Sequence, residues 1–160
     1  MKCFMAISRQ KGVGLIEVLI AVLVLGVGIL GAMVLQSNAL KNNQSSLART
    51  QAVVLSYAML DALRINRVDA LKGNYDMDKT CTPPSGNTLI ANDQAYWIGA
   101  LQEGLGGKLS TGEIGAGNAS TTCGEIDCDS AGFCTIKVYW DDERGTSGED
   151  NQVIETSTQI

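Results

Sequence analysis

The stretch Lys11-Gly12-Val13-Gly14-Leu15-Ile16-Glu17, followed by an apolar run from Val18 to Leu35, decides the fold of this 160-residue chain. Between Lys11 and Lys41, Glu17 carries the only charged side chain. A run of this length and composition is enough for a membrane-spanning helix. A carboxylate inside a membrane costs roughly 2.5–3.5 kcal/mol at mid-depth and less near the interface. Glu17 is therefore a candidate functional residue that needs a partner.

The alternative interpretation of this N-terminus is an ordinary secretory signal. Basic residues before the apolar run predict that the N-terminus stays on the cytoplasmic side of a membrane. Ser37-Asn38-Ala39 resembles a weak cleavage site, but the apolar core is longer than the roughly 7–15 residues of a typical signal. Cleavage there is also disfavoured because residues 40–66 contain no Pro or Gly. Such a segment is expected to continue the helix from the apolar run.

The segment after the apolar run is predicted to be an amphipathic helix. Its apolar residues recur at steps of three, four and seven, at Leu40, Leu47, Val54, Ala58, Ala62 and Ile65. Leu55, Met59 and Leu63 widen this stripe to a face of about 100°. We expect one continuous helix from the membrane segment onward, with a joint near 36–38 or 41–46 as the alternative. The stripe predicts the face that packs on the rest of the chain.

Beyond Gly73 the sequence predicts a loop and then a short helix. The loop contains both prolines of the chain, within 81–87. A helix is expected over 94–103, with Asn92 or Asp93 as its N-cap and Gly104 at its end. Its apolar face comprises Tyr96, Trp97 and Leu101, which we assign to the core. The Gly- and Ser-rich segment 104–124 is predicted to be mostly loop.

The C-terminal segment is predicted to be a β-hairpin. Residues 134–140 alternate, which places Ile136, Val138 and Trp140 on one face of a strand. Residues 141–151 are acidic and contain Gly, as in a turn or longer loop, and 152–160 are rich in β-branched residues. The expected fold class is therefore α+β, in which the amphipathic helix forms one layer and a small antiparallel sheet forms the other.

The five cysteines fall on the two sides of the apolar run. Cys3 precedes it, whereas Cys81, Cys123, Cys128 and Cys134 follow it. Four cysteines in one exported region predict two disulfides, with three possible connectivities. A zinc site is the alternative, but the chain has no His and no Cys-x-x-Cys pair. The missing Cys-x-x-Cys pair also disfavours redox catalysis.

Charge and motif content argue against several classes of function. The chain has 17 acidic and 12 basic side chains, so it lacks the basic excess that binds nucleic acid. No nucleophile motif is apparent. The Gly-rich segment 104–117 lacks the Lys and the following Ser or Thr of a phosphate-binding loop. The sequence therefore predicts neither an enzyme nor a cofactor.

Residues 11–35 resemble the N-terminal signature of type IV prepilins and pseudopilins. That signature is a short basic leader ending in Gly, then Leu-Ile-Glu and a long apolar helix. Residues 59–67, followed by Gly73-Asn74-Tyr75, are similar to the end of the long helix in PilV-type minor pilins. The resemblance implies the same α+β fold, a long N-terminal helix on a small C-terminal antiparallel sheet.

The resemblance also implies a defined processing chemistry. A membrane-bound prepilin peptidase is expected to cut after Gly12 and to methylate the new amine of Val13. That α-amine has a reference pKa near 8, so it is mostly cationic at neutral pH. Glu17 is then expected to meet the amine of a neighbouring subunit, or that of its own chain four positions away. Apart from the resemblance, we expect Cys123 to pair with Cys134 across neighbouring strands and Cys81 to pair with Cys128.

The organisation implied by the resemblance has four parts. These are a cleaved leader over 1–12, a transmembrane half-helix over 13–35, an amphipathic half-helix over 36–72 and a periplasmic or extracellular α+β region over 73–160. The prepilin would lie in the inner membrane with its N-terminus cytoplasmic, beside the assembly platform, and then enter an extracellular filament.

Three functions fit this organisation. The first is a tip-associated minor pilin that primes filament assembly with other minor and major pilins and supports adhesion and twitching motility. The second is a pseudopilin of a type II secretion system. The third is a ligand-binding receptor at the pilus tip, for which DNA is disfavoured as a ligand by the acidic charge.

Overall fold

A computed structural model describes residues 14–106, 121–142 and 152–160 of the chain. The elements in chain order are α1 (Leu15–Ile65), α2 (Arg67–Ala70), β1 (Met77–Thr80), α3 (Leu89–Leu105), β2 (Cys123–Cys128), β3 (Phe133–Trp140) and β4 (Gln152–Gln159). The chain divides into two units after Ala39. The predicted continuous helix is confirmed, because residues 36–46 are helical and lie within α1.

The four strands form one antiparallel sheet in the order β1-β2-β3-β4. The predicted C-terminal hairpin is confirmed as the β3–β4 pair, in which Val138 lies opposite Ile154. Ile136, Val138 and Trp140 are buried, as the alternation predicts. Strands β1 and β2 were not predicted, and part of β2 falls in the segment expected to be mostly loop. The α+β fold class is confirmed, with two more strands than the sequence indicates.

The segment of α1 from residue 40 onward buries only part of the predicted face. Met59 and Leu63 are buried as predicted, and Leu55 and Ala62 are half-buried. Leu40, Leu47, Val54, Ala58 and Ile65 of the predicted stripe are exposed. The buried residues are Ala48, Ala52, Ser56, Met59, Leu60 and Leu63. Small side chains at the first three of these positions let neighbouring groups approach the helix closely. The choice of face follows from what packs against α1, which helical spacing alone does not report.

Helix α3 begins earlier than predicted. Its N-cap is Thr88, whose Oγ1 accepts the N–H of Ala91 at 3.1 Å, so the assignment of the cap to Asn92 or Asp93 was wrong. The helix continues past Gly104 to Leu105 and ends at Gly106, which has a positive φ of 102°. A glycine tolerates this backbone conformation without steric cost.

One face of α3 packs on the sheet through Trp97. The indole is buried, and its Nε1 donates to the main-chain oxygen of Leu55 in α1 at 2.9 Å. A side chain at Gly124 in β2 would place its Cβ 2.3 Å from the Trp97 ring. Glycine at this position therefore lets α3 lie directly against β2. Leu101 is also buried as predicted, but Tyr96 is 81% exposed and does not belong to the core.

Two buried glutamines of α3 hold the loops that surround it. The side-chain amide of Gln94 donates to the main-chain oxygen of Tyr75 at 2.9 Å. That of Gln102 donates to the main-chain oxygen of Cys81 at 2.7 Å. A side-chain amide can be buried when it makes such hydrogen bonds, because an unpaired polar group in a core costs free energy of folding.

The later part of α1, together with α2, lies along β4 in the same direction. Arg49 Nη2 donates to Gln152 Oε1 at 2.9 Å, near the start of β4. Arg67 Nε donates to the main-chain oxygen of Ile160 at 3.0 Å, just past its end. Helix α1 ends at Ile65 and α2 begins at Arg67, so residues 49–65 rise about 24 Å, and a strand over 152–160 rises about 27 Å. The two segments are therefore similar in length and are bonded near both ends.

All four cysteines beyond the apolar run form disulfides, but the expected pairing is wrong. Cys81 pairs with Cys123, and Cys128 pairs with Cys134. Strand register explains the difference. Cys128 lies directly opposite Cys134, whereas Cys123 lies opposite Tyr139, too far along β3 to reach Cys134. Cys81 follows the end of β1, where Thr80 is paired with Gly124.

Candidate functional site

The candidate site begins at the first turn of α1. The main-chain oxygen of Gly14 accepts the N–H groups of Glu17 at 2.9 Å and Val18 at 3.3 Å, which closes the first turns of the helix. Glu17 is thus an acidic residue in the first helical turn, and its side chain is exposed. A carboxylate is favourable there because the N-terminus of a helix carries partial positive charge.

The apolar segment that follows Glu17 is exposed in the described part of the chain. None of its most apolar 18-residue window is buried. Every side chain from residue 14 to 44 is exposed. Exposed apolar surface of this extent is unstable in water and indicates contact with lipid or with other proteins. By length and composition α1 is able to cross a membrane.

The two residues of the predicted processing site, Gly12 and Val13, lie outside the described residues, as does Cys3. The structure therefore places Glu17 in the first turn of α1, and all of the described cysteines lie far from it in sequence. The four later cysteines belong to the second unit. Within the described ranges, no three His, Cys, Asp or Glu side chains converge as a metal site.

A polar cluster on the sheet was missed by sequence reasoning. Glu125 in β2 accepts a bond from Lys137 Nζ at 2.7 Å and one from Tyr139 Oη at 2.7 Å, both in β3. Lys79 of β1 lies 4.1 Å from the centre of the Tyr139 ring. The bond from Lys137, followed by that from Tyr139, lowers the pKa of Glu125 below its ordinary value. The cluster joins side chains of three neighbouring strands, and such cross-strand pairs contribute to the stability of a sheet.

A second polar group links the loop before β1 to α3. The hydroxyl of Tyr75, a fully buried residue, donates to Asp93 Oδ2 at 2.8 Å. Burial and then the bond to Asp93 raise the pKa of Tyr75 to about 12. The phenol therefore remains a hydrogen-bond donor throughout the physiological pH range.

Comparison with known families identifies the N-terminal segment. Residues 7–33 match the family described as the prokaryotic N-terminal methylation motif. The match supports a type IV prepilin-like protein. Comparison with curated proteins and with solved structures gave no match. The motif and the fold together support a pilin or a pseudopilin, which is a structural protein rather than an enzyme.

The prepilin motif has consequences for processing and location. It implies cleavage by a prepilin peptidase and assembly with other pilins. Together with the exposed apolar helix, it fits anchoring in a membrane followed by incorporation into a pilus. Of the predicted site residues, Glu17 lies both inside the matched segment and in the described structure.

Proposed function

We propose that the chain is a minor pilin of a type IV pilus, associated with the filament tip and acting with other minor pilins to prime assembly. Pilus-dependent adhesion and twitching motility would follow from that role. The observation that carries the proposal is the methylation motif over 7–33, joined to a helix whose first, apolar half is exposed in the described part of the chain. The PilV-like sequence of residues 59–75 supports the minor-pilin subgroup.

In this proposal the leader 1–12 is removed by cleavage after Gly12, and the amine of Val13 is methylated. The absence of a side chain at Gly12 leaves the main chain accessible to the peptidase. Residues 13–35 then span the inner membrane with the N-terminus cytoplasmic, and 36–72 continue outward to the region 73–160. The two disulfides of that region fit an oxidising compartment such as the periplasm.

Glu17 is proposed to dock the subunit into the filament. Its carboxylate would pair with the cationic amine of Val13 in a neighbouring subunit. Pairing offsets the desolvation of both charges, which is costly for either one alone in an apolar helix bundle. The new amine exists only after cleavage, so cleavage would convert a membrane-stored subunit into one that can assemble.

The test of this proposal is the intact mass of the protein extracted from membranes in detergent. We expect a mass that lacks residues 1–12, gains one methyl group and lacks four hydrogens for two disulfides. Retention of the leader, or cleavage after Ala39 as in a secretory signal, would contradict the proposal. A pseudopilin would give the same mass, and the position of the gene beside pilus or secretion genes distinguishes the two.

A further inference from the structure

A groove runs between α1 and α3 on the surface of the second unit. It is lined by Leu55, Ala58 and Ala62 of α1 and by Asp93, Tyr96 and Ala100 of α3. Each set follows the spacing i, i+3, i+7, so each helix presents one continuous face to the groove. The open volume is about 120 Å³.

The size and chemistry of the groove favour an apolar side chain as its content. A cavity of about 150 Å³ lined by apolar groups holds a benzene molecule. A space of about 120 Å³ therefore suits one branched aliphatic or aromatic side chain. The alanines at 58, 62 and 100 create the room, because larger residues there would fill it. Met59 and Trp97, both buried, also line the groove.

Two further features sit beside this space. Tyr96 is exposed at its edge, and exposed tyrosines are frequent anchors of protein interfaces. Asp93 is the one charged residue among those that line the groove. One of its oxygens, Oδ2, accepts the hydroxyl of Tyr75 at 2.8 Å, which fixes the carboxylate in place. A fixed carboxylate beside an apolar space is complementary to an apolar residue with a cation close to it.

Between residues 40 and 65 of the chain's own α1, the two basic residues that have an apolar residue one helical turn away already make side-chain bonds. Arg49 donates to Gln152, and Arg64 donates to Asp61. The remaining basic residue of that segment, Lys41, has polar Ser37 and Ser45 one helical turn away. The groove is therefore suited to a helix from a different chain rather than to this segment of a second copy.

We propose that the groove binds an amphipathic helix of another pilin-like subunit. One apolar side chain of that helix enters the space over Ala58 and Ala62, and a Lys or Arg one turn away pairs with Asp93. This is the common mode in which an apolar helix face lies in a hydrophobic groove. The inference rests on the proposed function, since it names a partner for the same filament subunit.

The experiment is photo-crosslinking of the full-length protein in cells that assemble the filament, with p-benzoylphenylalanine replacing Tyr96. We expect an adduct whose cross-linked peptide, identified by mass spectrometry, belongs to another subunit and carries an apolar residue one turn from a Lys or Arg. The same probe at Phe133, an exposed aromatic residue at the start of β3, is the positional control and should not give this adduct.

Two substitutions in the probe-bearing protein test the groove itself. Ala58→Glu fills the space and adds a charge, and it should lower the adduct at least tenfold. Asp93→Asn keeps an acceptor for Tyr75 but removes the charge, and it should lower the adduct about fivefold. Asn43→Glu adds the same charge at an exposed position of α1 outside the groove and should leave the yield unchanged. Unchanged protease resistance of each variant shows that it is folded.

Several results would overturn the inference. They are an adduct with a second copy of this chain, an adduct with lipid alone, no adduct from position 96, and an adduct that Ala58→Glu does not reduce. Failure of the proposed function is separately visible, because deleting the whole chain would then leave pilus number unchanged. A strain that needs the chain for pili but assembles the Ala58→Glu form normally refutes the groove alone.

Discussion

Gly124 shows how a single residue sets the distance between two layers of this protein. Trp97 of α3 packs so closely on β2 that any Cβ at position 124 would overlap its ring. The indole in turn donates to the main chain of α1 at Leu55. Trp97 thus contacts both the sheet and the first helix, and Gly124 makes that position possible.

Replacing Gly124 by Ala should destabilise the second unit. Overpacking of a close-packed core typically costs about 1–3 kcal/mol, and we expect a loss of free energy of unfolding in that range. Denaturant unfolding of the full chain in detergent, followed by the fluorescence of Trp97 and Trp140, measures it. Gly99→Ala is the matched control. Its Cβ would meet open space in α3, so it should be neutral or stabilising.

Tyr75→Phe tests the buried hydroxyl and its pH dependence. Loss of the bond to Asp93 should cost about 1 kcal/mol at neutral pH. The pKa of Tyr75 is raised to about 12 in the folded state, from an ordinary value of 10.0. Its contribution is therefore full below pH 10 and is lost as the pH rises through about 12, because the unfolded state releases its proton first.

The expected result is that the stability gap between wild type and Tyr75→Phe narrows above about pH 10. Unfolding curves collected from neutral to strongly alkaline pH measure the gap. A gap that stays constant over this range would contradict the assigned pKa. All other side chains are common to both proteins, so their effects cancel in the comparison.

At the scale of elements, the helices were more predictable than the strands for local reasons. The apolar run and the missing Pro and Gly identify α1 without knowledge of its surroundings. Strand β2 has the sequence Cys-Gly-Glu-Ile-Asp-Cys, in which Ile126 is the one large aliphatic residue. Strand β1 has four residues, two of them charged. Both strands form because a disulfide and neighbouring strands hold them, which no local pattern reports.

The residues assigned from sequence also divide into those that a local pattern reveals and those that it does not. Glu17 was proposed from sequence because an acid in an apolar run is conspicuous by itself, and the structure adds its place in the first turn of α1. The buried face of α1 was assigned only in part. Met59 and Leu63 are buried as predicted, but Leu47 and Val54 are exposed, and Ala48, Ala52 and Ser56 are buried instead. Tyr96 is exposed, whereas the neighbouring Trp97 is buried. A short apolar pattern does not predict this difference. Asp93 was one of two residues assigned to the N-cap of α3, but its carboxylate instead accepts the hydroxyl of Tyr75.

The two disulfides should contribute unequally to stability. The sequence separation is 42 for Cys81–Cys123 and 6 for Cys128–Cys134. In the chain-entropy view, these loops correspond to about 4 and about 2 kcal/mol, respectively. The double variant Cys81→Ala/Cys123→Ala should therefore unfold at lower denaturant than Cys128→Ala/Cys134→Ala. Equal midpoints, or the reverse order, would show that strain or residual structure outweighs loop entropy.

At the scale of the whole molecule, the acidic residue in the first turn of α1 and the apolar surface after it serve assembly in our proposal. Glu17→Ala should leave membrane insertion and cleavage unchanged, since it removes a charge from the apolar segment. Its recovery in sheared filaments, measured by immunoblot against total protein, should fall at least tenfold. Wild-type recovery of this variant in filaments would refute the docking role.

Glu155→Ala is the matched control for that experiment. It removes a carboxylate from an exposed position of β4, opposite Lys137. The pairing of such exposed charges contributes little to stability. Filament recovery of this variant should equal that of wild type, so a loss common to both variants would point to net charge rather than to Glu17.

The paired attachment of the first helix along β4 has a mechanical meaning. Arg49 bonds near the start of β4 and Arg67 bonds beyond its end, so the helical segment and the strand run in one direction. A pull along the helix axis at residue 40 would load both attachments together, in shear, instead of peeling them apart one after the other. Detachment would then require the bonds and the packing between them to break at once, so this unit should resist tension along the helix better than tension across it.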